Sequence, residues 1–203
     1  MHLNYWFCSF FLIVALFEAP VEGMNYDWKL VKETKDIKVY TRSTKNSDFK
    51  EIRVKANFTG NIDSFLYRLN TPHSYTQWVY KCTEGKLLEK VNPHEFYYYA
   101  VSNMPYPIKD RDMVMHCKQW KDASGVIYSS STAVPTFIPA TKDRIRIPYF
   151  KSEWKITPLS EDRILVDYTA ITNPGGSLPA WIVNLAVTTG PLKTIQQLIK
   201  TVN

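Results

Sequence analysis

Covalent chemistry needs a nucleophile, a base to activate it and a group to orient the base, and few residues in this chain are spaced for that. No Gly-x-Ser-x-Gly elbow occurs, and Ser129-Ser130-Ser131 falls in a β-like run, where hydroxyls alternate between the two faces of a sheet. His73, His94 and His116 stand apart, with no second His or Cys at ligand spacing on the same element. His116 and Cys117 are adjacent, so a strand sends them to opposite faces. Asp and Glu are plentiful, yet no pair is singled out by its surroundings for acid–base work. The expectation is a non-enzymatic protein with neither metal nor cofactor. The alternative is an enzyme acting on a hydrophobic substrate in an internal cavity, with His116 and Asp167 as its candidate groups if they point inward.

Binding chemistry has more support. In the run 95–103, Phe96, Tyr98, Ala100 and Ser102 share one face, and in 111–120 so do Arg111, Met113, Met115 and Cys117. Met is flexible and polarisable and suits an irregular apolar guest as well as fixed neighbours. Such a face serves either as plain core or as a cavity wall. A strongly curved sheet covered by one long helix leaves interior space that favours the wall.

The elements that would position these residues can be read from period and punctuation. Ile52, Val54, Ala56 and Phe58 alternate with Glu51, Arg53, Lys55 and Asn57, the pattern of a half-buried strand. Further strands are expected near 28–33, 37–42, 82–90, 95–103, 111–120, 126–133, 146–158 and 163–171. A short helix is expected after Gly60, with Ile62, Phe65, Leu66 and Leu69 on one side. Asn173-Pro-Gly-Gly176 then stops the last strand, Ser177 or Leu178 stands at the cap position, and Pro179 suits a first helical turn. The helix runs from 178 to 202 with a kink at Gly190-Pro191, and its inward stripe is Trp181, Leu185, Leu192, Ile195, Ile199 and Val202. The fold class is α+β, a curved antiparallel sheet wrapped around a long C-terminal helix.

Met104-Pro105-Tyr106-Pro107-Ile108 is apolar for a loop, apart from the Tyr hydroxyl. It reads either as a plug folded into the sheet or as a gate that dips into a bilayer while Lys109 and Arg111 meet headgroups. Gly190-Pro191 offers the helical half of such a gate a bending point.

Of the 203 residues, 1–23 read as a secretory signal peptide and 24–203 as one domain. The apolar run Tyr5–Phe17 is short for a membrane span, and Val21 and Gly23 offer a cleavage site before Met24; an uncleaved anchor is the rival reading. Cleavage removes Glu18 and Glu22 but no Lys or Arg, so the net charge of +6 rises by two. That charge favours an acidic partner such as an anionic membrane surface. The cations are scattered singly, unlike the basic cluster of a nucleic-acid reader, so no nucleic acid is expected. Cys82 and Cys117 are expected to be free, two strands apart in a meander and beyond the span of a disulfide.

Three blocks of this sequence resemble the START domains, the lipid-transfer domains related to the steroidogenic acute regulatory protein. Pro105 to Val114 is similar to that family's loop-and-strand block ending in Arg-Asp-aromatic-Val, with Met113 in the aromatic's place. Ile145 to Ile156 is similar to its next-to-last strand. Asn173 to Trp181, followed by Asn184, is similar to the Asn-Pro-Gly-Gly-x-x-Pro-x-Trp approach to its lid helix. The likeness runs from Trp28 to Leu198, and the branch that carries phosphatidylcholine looks closest.

The resemblance implies a helix-grip fold with an internal hydrophobic tunnel for one lipid-sized molecule, binding and transfer or sensing of that molecule, and a transient membrane partner for a monomeric protein. Tyr98 and Cys117 fall where some sterol-carrying members place an internal charged pair, which this chain lacks. Phe150 and Met104 fall near two aromatics that enclose choline in the phosphatidylcholine carrier. The implied ligand contacts are Tyr98, Ala100, Met113, Met115, Cys117, Phe150, Trp154 and Tyr168 on strands, and Trp181, Leu185, Thr188 and Leu192 on the helix. Met104, Pro105, Tyr106, Pro107 and Ile108 form the implied gate. A leader on such a domain points to export, into a bacterial periplasm or out of the cell.

Overall fold

The computed structural model describes residues 26–202, apart from the side chains of residues 185 and 186. The signal peptide expected over 1–23 and the side chain of Leu185 therefore lie outside the described residues. The described residues contain ten strands: β1 (Lys29–Glu33), β2 (Ile37–Thr44), β3 (Ser47–Thr59), β4 (Cys82–Asn92), β5 (Glu95–Ser102), β6 (Arg111–Lys121), β7 (Ile127–Ala133), β8 (Ile145–Arg146), β9 (Tyr149–Pro158) and β10 (Arg163–Asn173). They form one open sheet in the order β1-β2-β3-β10-β9-β7-β6-β5-β4, antiparallel throughout except that β8 pairs with β6 in parallel. The register slips three times between β4 and β5. Each slip adds local twist, which curls that edge of the sheet inward.

The strand expected over 146–158 is divided. Pro148 has no N–H to give a ladder, so pairing ends at β8 and resumes at β9.

Among the described residues, four α-helices cover the concave side, α1 (Ile62–Asn70), α2 (Tyr75–Trp78), α3 (Ala180–Ala186) and α4 (Thr189–Val202), with a 3-10 turn at Pro72–Ser74. Asn61 caps α1, its side-chain oxygen accepting from the Ser64 N–H at 2.8 Å. The 3-10 turn sits directly on β4: a Cβ at Gly85 would come within 2.1 Å of the Pro72 carbonyl oxygen.

The terminal helix differs from the sequence reading in two respects. Pro179 is itself the N-cap and α3 starts at Ala180, so neither Ser177 nor Leu178 supplies the cap. The break falls at 187–188, one turn before Gly190-Pro191. Pro191 then occupies the first turn of α4, where its missing N–H removes no helical bond, so it opens a second helix and does not kink a continuous one.

The main core lies between α1, α4 and the strands β2, β3, β9 and β10. Ile37, Val39, Ile52, Val54, Ala56, Phe58, Ile164 and Val166 point into it, each at most 5% exposed. From α4 come Leu192, Ile195, Leu198 and Val202; Leu198 takes the central place expected of Ile199, which packs at the edge. Trp181, expected on the inward stripe, is 65% exposed.

A second, small cluster of Tyr99, Val101 and Val114 lies on the convex side beneath the 134–146 connection. Arg146 fastens that connection. It forms a two-pronged pair with the buried Asp112 at 3.1 and 2.9 Å and donates to the carbonyls of Pro135, Ile138 and Pro139.

Candidate functional site

An internal cavity of about 240 Å³ lies between the sheet and the first turns of α4. Its floor follows from cross-strand register. Cys117 on β6 stands opposite Ser131 on β7, which stands opposite Ser152 on β9. One rung further, Ser129 is opposite Trp154, which is opposite Tyr168 on β10. Three serines and a cysteine at inward positions leave a hollow where larger side chains would close it. The cysteine thiol lies 3.5 Å from the Ser129 hydroxyl, and burial pushes the thiols of Cys117 and Cys82 up. The two cysteines are free, on β6 and β4.

Aromatic rings form the sides. Tyr75 meets Tyr98 edge to face at 5.2 Å and Trp78 at 5.3 Å, and Trp154 lies against Tyr168 at 4.3 Å. The Tyr75 hydroxyl donates to the Leu69 carbonyl at 2.6 Å. Burial raises the phenols of Tyr75, Tyr98 and Tyr168, so all three stay protonated over the physiological range. Gly190, Pro191, Thr194 and Ile195 close the helical side, and Thr194 accepts the Tyr80 N–H at 3.0 Å, fastening α4 to the end of α2.

Among the sequence-derived contacts, Tyr98, Ala100, Met113, Cys117, Phe150, Trp154 and Tyr168 line this cavity. Met115 is fully buried but is not one of the walls, Leu192 belongs to the main core, and Thr188 is half-buried at the α3–α4 break. The serines of the floor and the aromatic wall from Tyr75 to Tyr80 went unrecognised. Small residues recurring at period two on central strands, as at Ser129 and Ser131, were the available signal. His116 and Asp167 lie on the convex side. His116 stacks on Tyr97 at 4.3 Å with Nε2 2.7 Å from Glu95, and Asp167 pairs with Arg53 at 2.7 and 2.5 Å.

The loop 103–110 lies beside the cavity, which Ser102 reaches from the end of β5. Asp110 ties the base of the loop, accepting from the Met104 N–H at 2.8 Å and from Asn103 at 3.3 Å. Tyr106, at the tip, is 97% exposed, Pro105 and Pro107 are exposed too, and Met104 and Ile108 are half-buried. No residue of 104–108 lines the cavity, so the loop is not a plug.

Arg111 joins this loop to the turn that leads into α3. Its side chain is buried, and its guanidinium donates to the carbonyls of Lys109 at 2.5 Å, Gly175 at 3.3 Å and Pro174 at 3.4 Å. Gly175 and Gly176 take positive φ of 67° and 70°, and a Cβ on Gly176 would meet Ile145 at 2.9 Å. Asn184 anchors the other end of α3 on the start of β3, accepting from the Lys50 N–H at 2.9 Å and donating to the Asp48 carbonyl at 3.0 Å. Arg111 is thus a tie between the loop and the turn before α3, where the sequence reading set it beside headgroups.

The START domain family model matches residues 15–203. This chain belongs to the START domain family. Similar proteins accompany the match. An uncharacterised protein of Pseudomonas aeruginosa is 32% identical over 187 residues, covering 92% of each chain. The phosphatidylcholine transfer protein of Bos taurus is 27% identical over 179 residues, covering 85% of this chain and 83% of its own. Among solved structures, a STAR-related lipid transfer protein from Xanthomonas axonopodis superposes with a TM-score of 0.79 at 31% identity, covering 85% of this chain and 97% of that one. The open, curved antiparallel sheet with its C-terminal helix is the START helix-grip architecture. Among the described residues of this START domain, no helix is long and apolar enough to cross a membrane.

Proposed function

We propose that this START domain encloses a lipid or other hydrophobic small molecule in the cavity and exchanges it, chemically unchanged, at a membrane surface. The observation that carries the reading is the cavity itself, apolar on its sides and closed on the helical side by the first turns of α4. A phosphatidylcholine transfer protein and a STAR-related lipid transfer protein among the relatives support it. Sheltering several hundred Å² of apolar ligand at about 25 cal/mol per Å² is worth about 10 kcal/mol gross, before ordering costs. A ligand held that firmly leaves quickly only where a bilayer receives it.

Tyr106 on the loop and Trp181 and Ile182 on α3 are the exposed apolar groups that would meet the membrane. The protein acts as a monomer in the exported compartment, periplasmic or secreted. An enzyme using the same cavity would need an acid or base aimed inward, and both groups named for that role, His116 and Asp167, lie on the other face.

Native mass spectrometry of the mature protein, with organic extraction, tests the reading. One bound lipid per chain is expected, along with its movement between vesicles. An empty protein that takes up no lipid from vesicles overturns it. The double variant Tyr106→Ala, Trp181→Ala should slow transfer about tenfold, equivalent to about 1.4 kcal/mol of lost apolar contact, without moving the denaturation midpoint. An unchanged rate would remove these residues from the gate.

A further inference from the structure

Every polar side chain lining the cavity is neutral. The described lining contains serine, threonine, tyrosine and cysteine hydroxyls and thiols and the Trp indoles, with no Asp, Glu, Lys, Arg or His among them. Tyr75, Tyr98, Tyr168, Cys82 and Cys117 are held protonated by burial in the same chamber. A headgroup carrying a formal charge would therefore enter without a counter-charge, and desolvating an unpaired charge is among the costliest events in a protein interior. The aromatic walls suit a quaternary ammonium. The phosphate that accompanies one in a choline lipid finds no guanidinium or ammonium in the lining: Arg111 is committed to backbone carbonyls, and the exposed Lys193 lies behind Tyr80, its Nζ 3.4 Å from that hydroxyl.

The floor supplies what a neutral headgroup needs. Ser131 and Ser152 line the cavity together with the phenols of Tyr98 and Tyr168. A hydroxyl has one donor and two acceptor positions, so each serine keeps capacity for a further hydrogen bond. These two serines are opposite one another across β7 and β9. They form a polar step in an otherwise apolar chamber, within reach of a single hydroxyl or carbonyl.

We infer that the ligand is an uncharged lipid bearing a hydroxyl or ester carbonyl, its polar end held by Ser131 and Ser152, and not a zwitterionic phospholipid. This inference rests on the carrier reading above and narrows it.

The test uses the mature protein and three probes that share the oleoyl chain. Monoolein is neutral, oleoyl-lysophosphatidylcholine has one chain and a zwitterionic head, and dioleoylphosphatidylcholine has two chains. Monoolein is expected to bind at least about tenfold more tightly than either choline lipid, the selectivity that an unpaired buried charge imposes. Equal or tighter binding of either choline lipid overturns the charge argument and with it the assignment. No binding of any probe removes the carrier reading itself, an outcome distinct from a change of preference. Ser131→Ala with Ser152→Ala should weaken monoolein by about two- to tenfold per lost hydrogen bond while leaving 1-octadecene, an eighteen-carbon chain without a hydroxyl, unaffected. Unchanged monoolein affinity in that variant overturns the role of the serines.

Discussion

The inner face of the sheet carries Val39, Ile52, Val54, Phe58, Ile164 and Val166 at one end and Cys117, Ser129, Ser131 and Ser152 toward the other, and α4 lies across both. Where the strands present branched and aromatic side chains, the helix answers with Leu198 and Val202, and the space is filled. Where they present serine and cysteine, the helix presents Gly190, Pro191 and Thr194, and the space stays open. The backbone arrangement is continuous between the two regions, so side-chain volume decides which half is core and which is container. Trp154 is the partition. It meets Phe65 edge to face at 6.1 Å on the packed side and lies against Tyr168 on the hollow side.

The largest effect that would break this contrast comes from the packed half. Phe65 is fully buried, between Phe58 and Trp154. Phe65→Ala should cost about 3–5 kcal/mol of stability, read as a lower midpoint in urea denaturation. A cost near that of a surface change would mean this region is not the one that holds the fold together. In the hollow half the expectation reverses. Ala100→Leu adds volume to a cavity wall, where a packed core would lose about 1–3 kcal/mol to overpacking. Here the void receives the added methyls, stability should stay within about 1 kcal/mol of the parent, and lipid occupancy in native mass spectrometry should fall to background. Ligand retained at full stoichiometry would place the binding site elsewhere.

The two halves were not equally legible in the sequence. The packed half announced itself through strict alternation, as in Ile52, Val54, Ala56 and Phe58, because a half-buried strand must send every second residue inward. The hollow half rests on Ser129 and Ser131 facing Cys117 and Ser152, and such pairings depend on register between strands distant in sequence. Tyr98, Ala100 and Cys117 were recognisable because they sit on strands already placed. The wall from Tyr75 to Tyr80 was not, since a 3-10 turn and a one-turn helix carry too few residues to show a period. Pro191 pointed to a break in the terminal helix, but a proline tolerated in a first turn marks a start as readily as a kink. Trp181 continued the apolar spacing of α4 on paper. The interruption at 187–188 rotates α3 out of phase with α4, and the ring faces solvent.

The smallest expected effect tests whether the hollow half opens separately from the packed one. Cys82 and Cys117 both line the cavity, and burial raises both thiols. Less thiolate is then present at a given pH than for free cysteine, so alkylation by iodoacetamide should be slower at pH 8 and should keep accelerating above the ordinary thiol range. Ligand present at ten times its Kd leaves about a tenth of the molecules empty and should slow the reaction in proportion. If the reagent enters by displacement of α3 and the 103–110 loop, Phe65→Ala should hardly change the rate, because global unfolding is not on that route. A rate that instead rises with each loss of global stability would mean that the thiols are reached only by unfolding the whole sheet. The container would then be no more mobile than the core beside it.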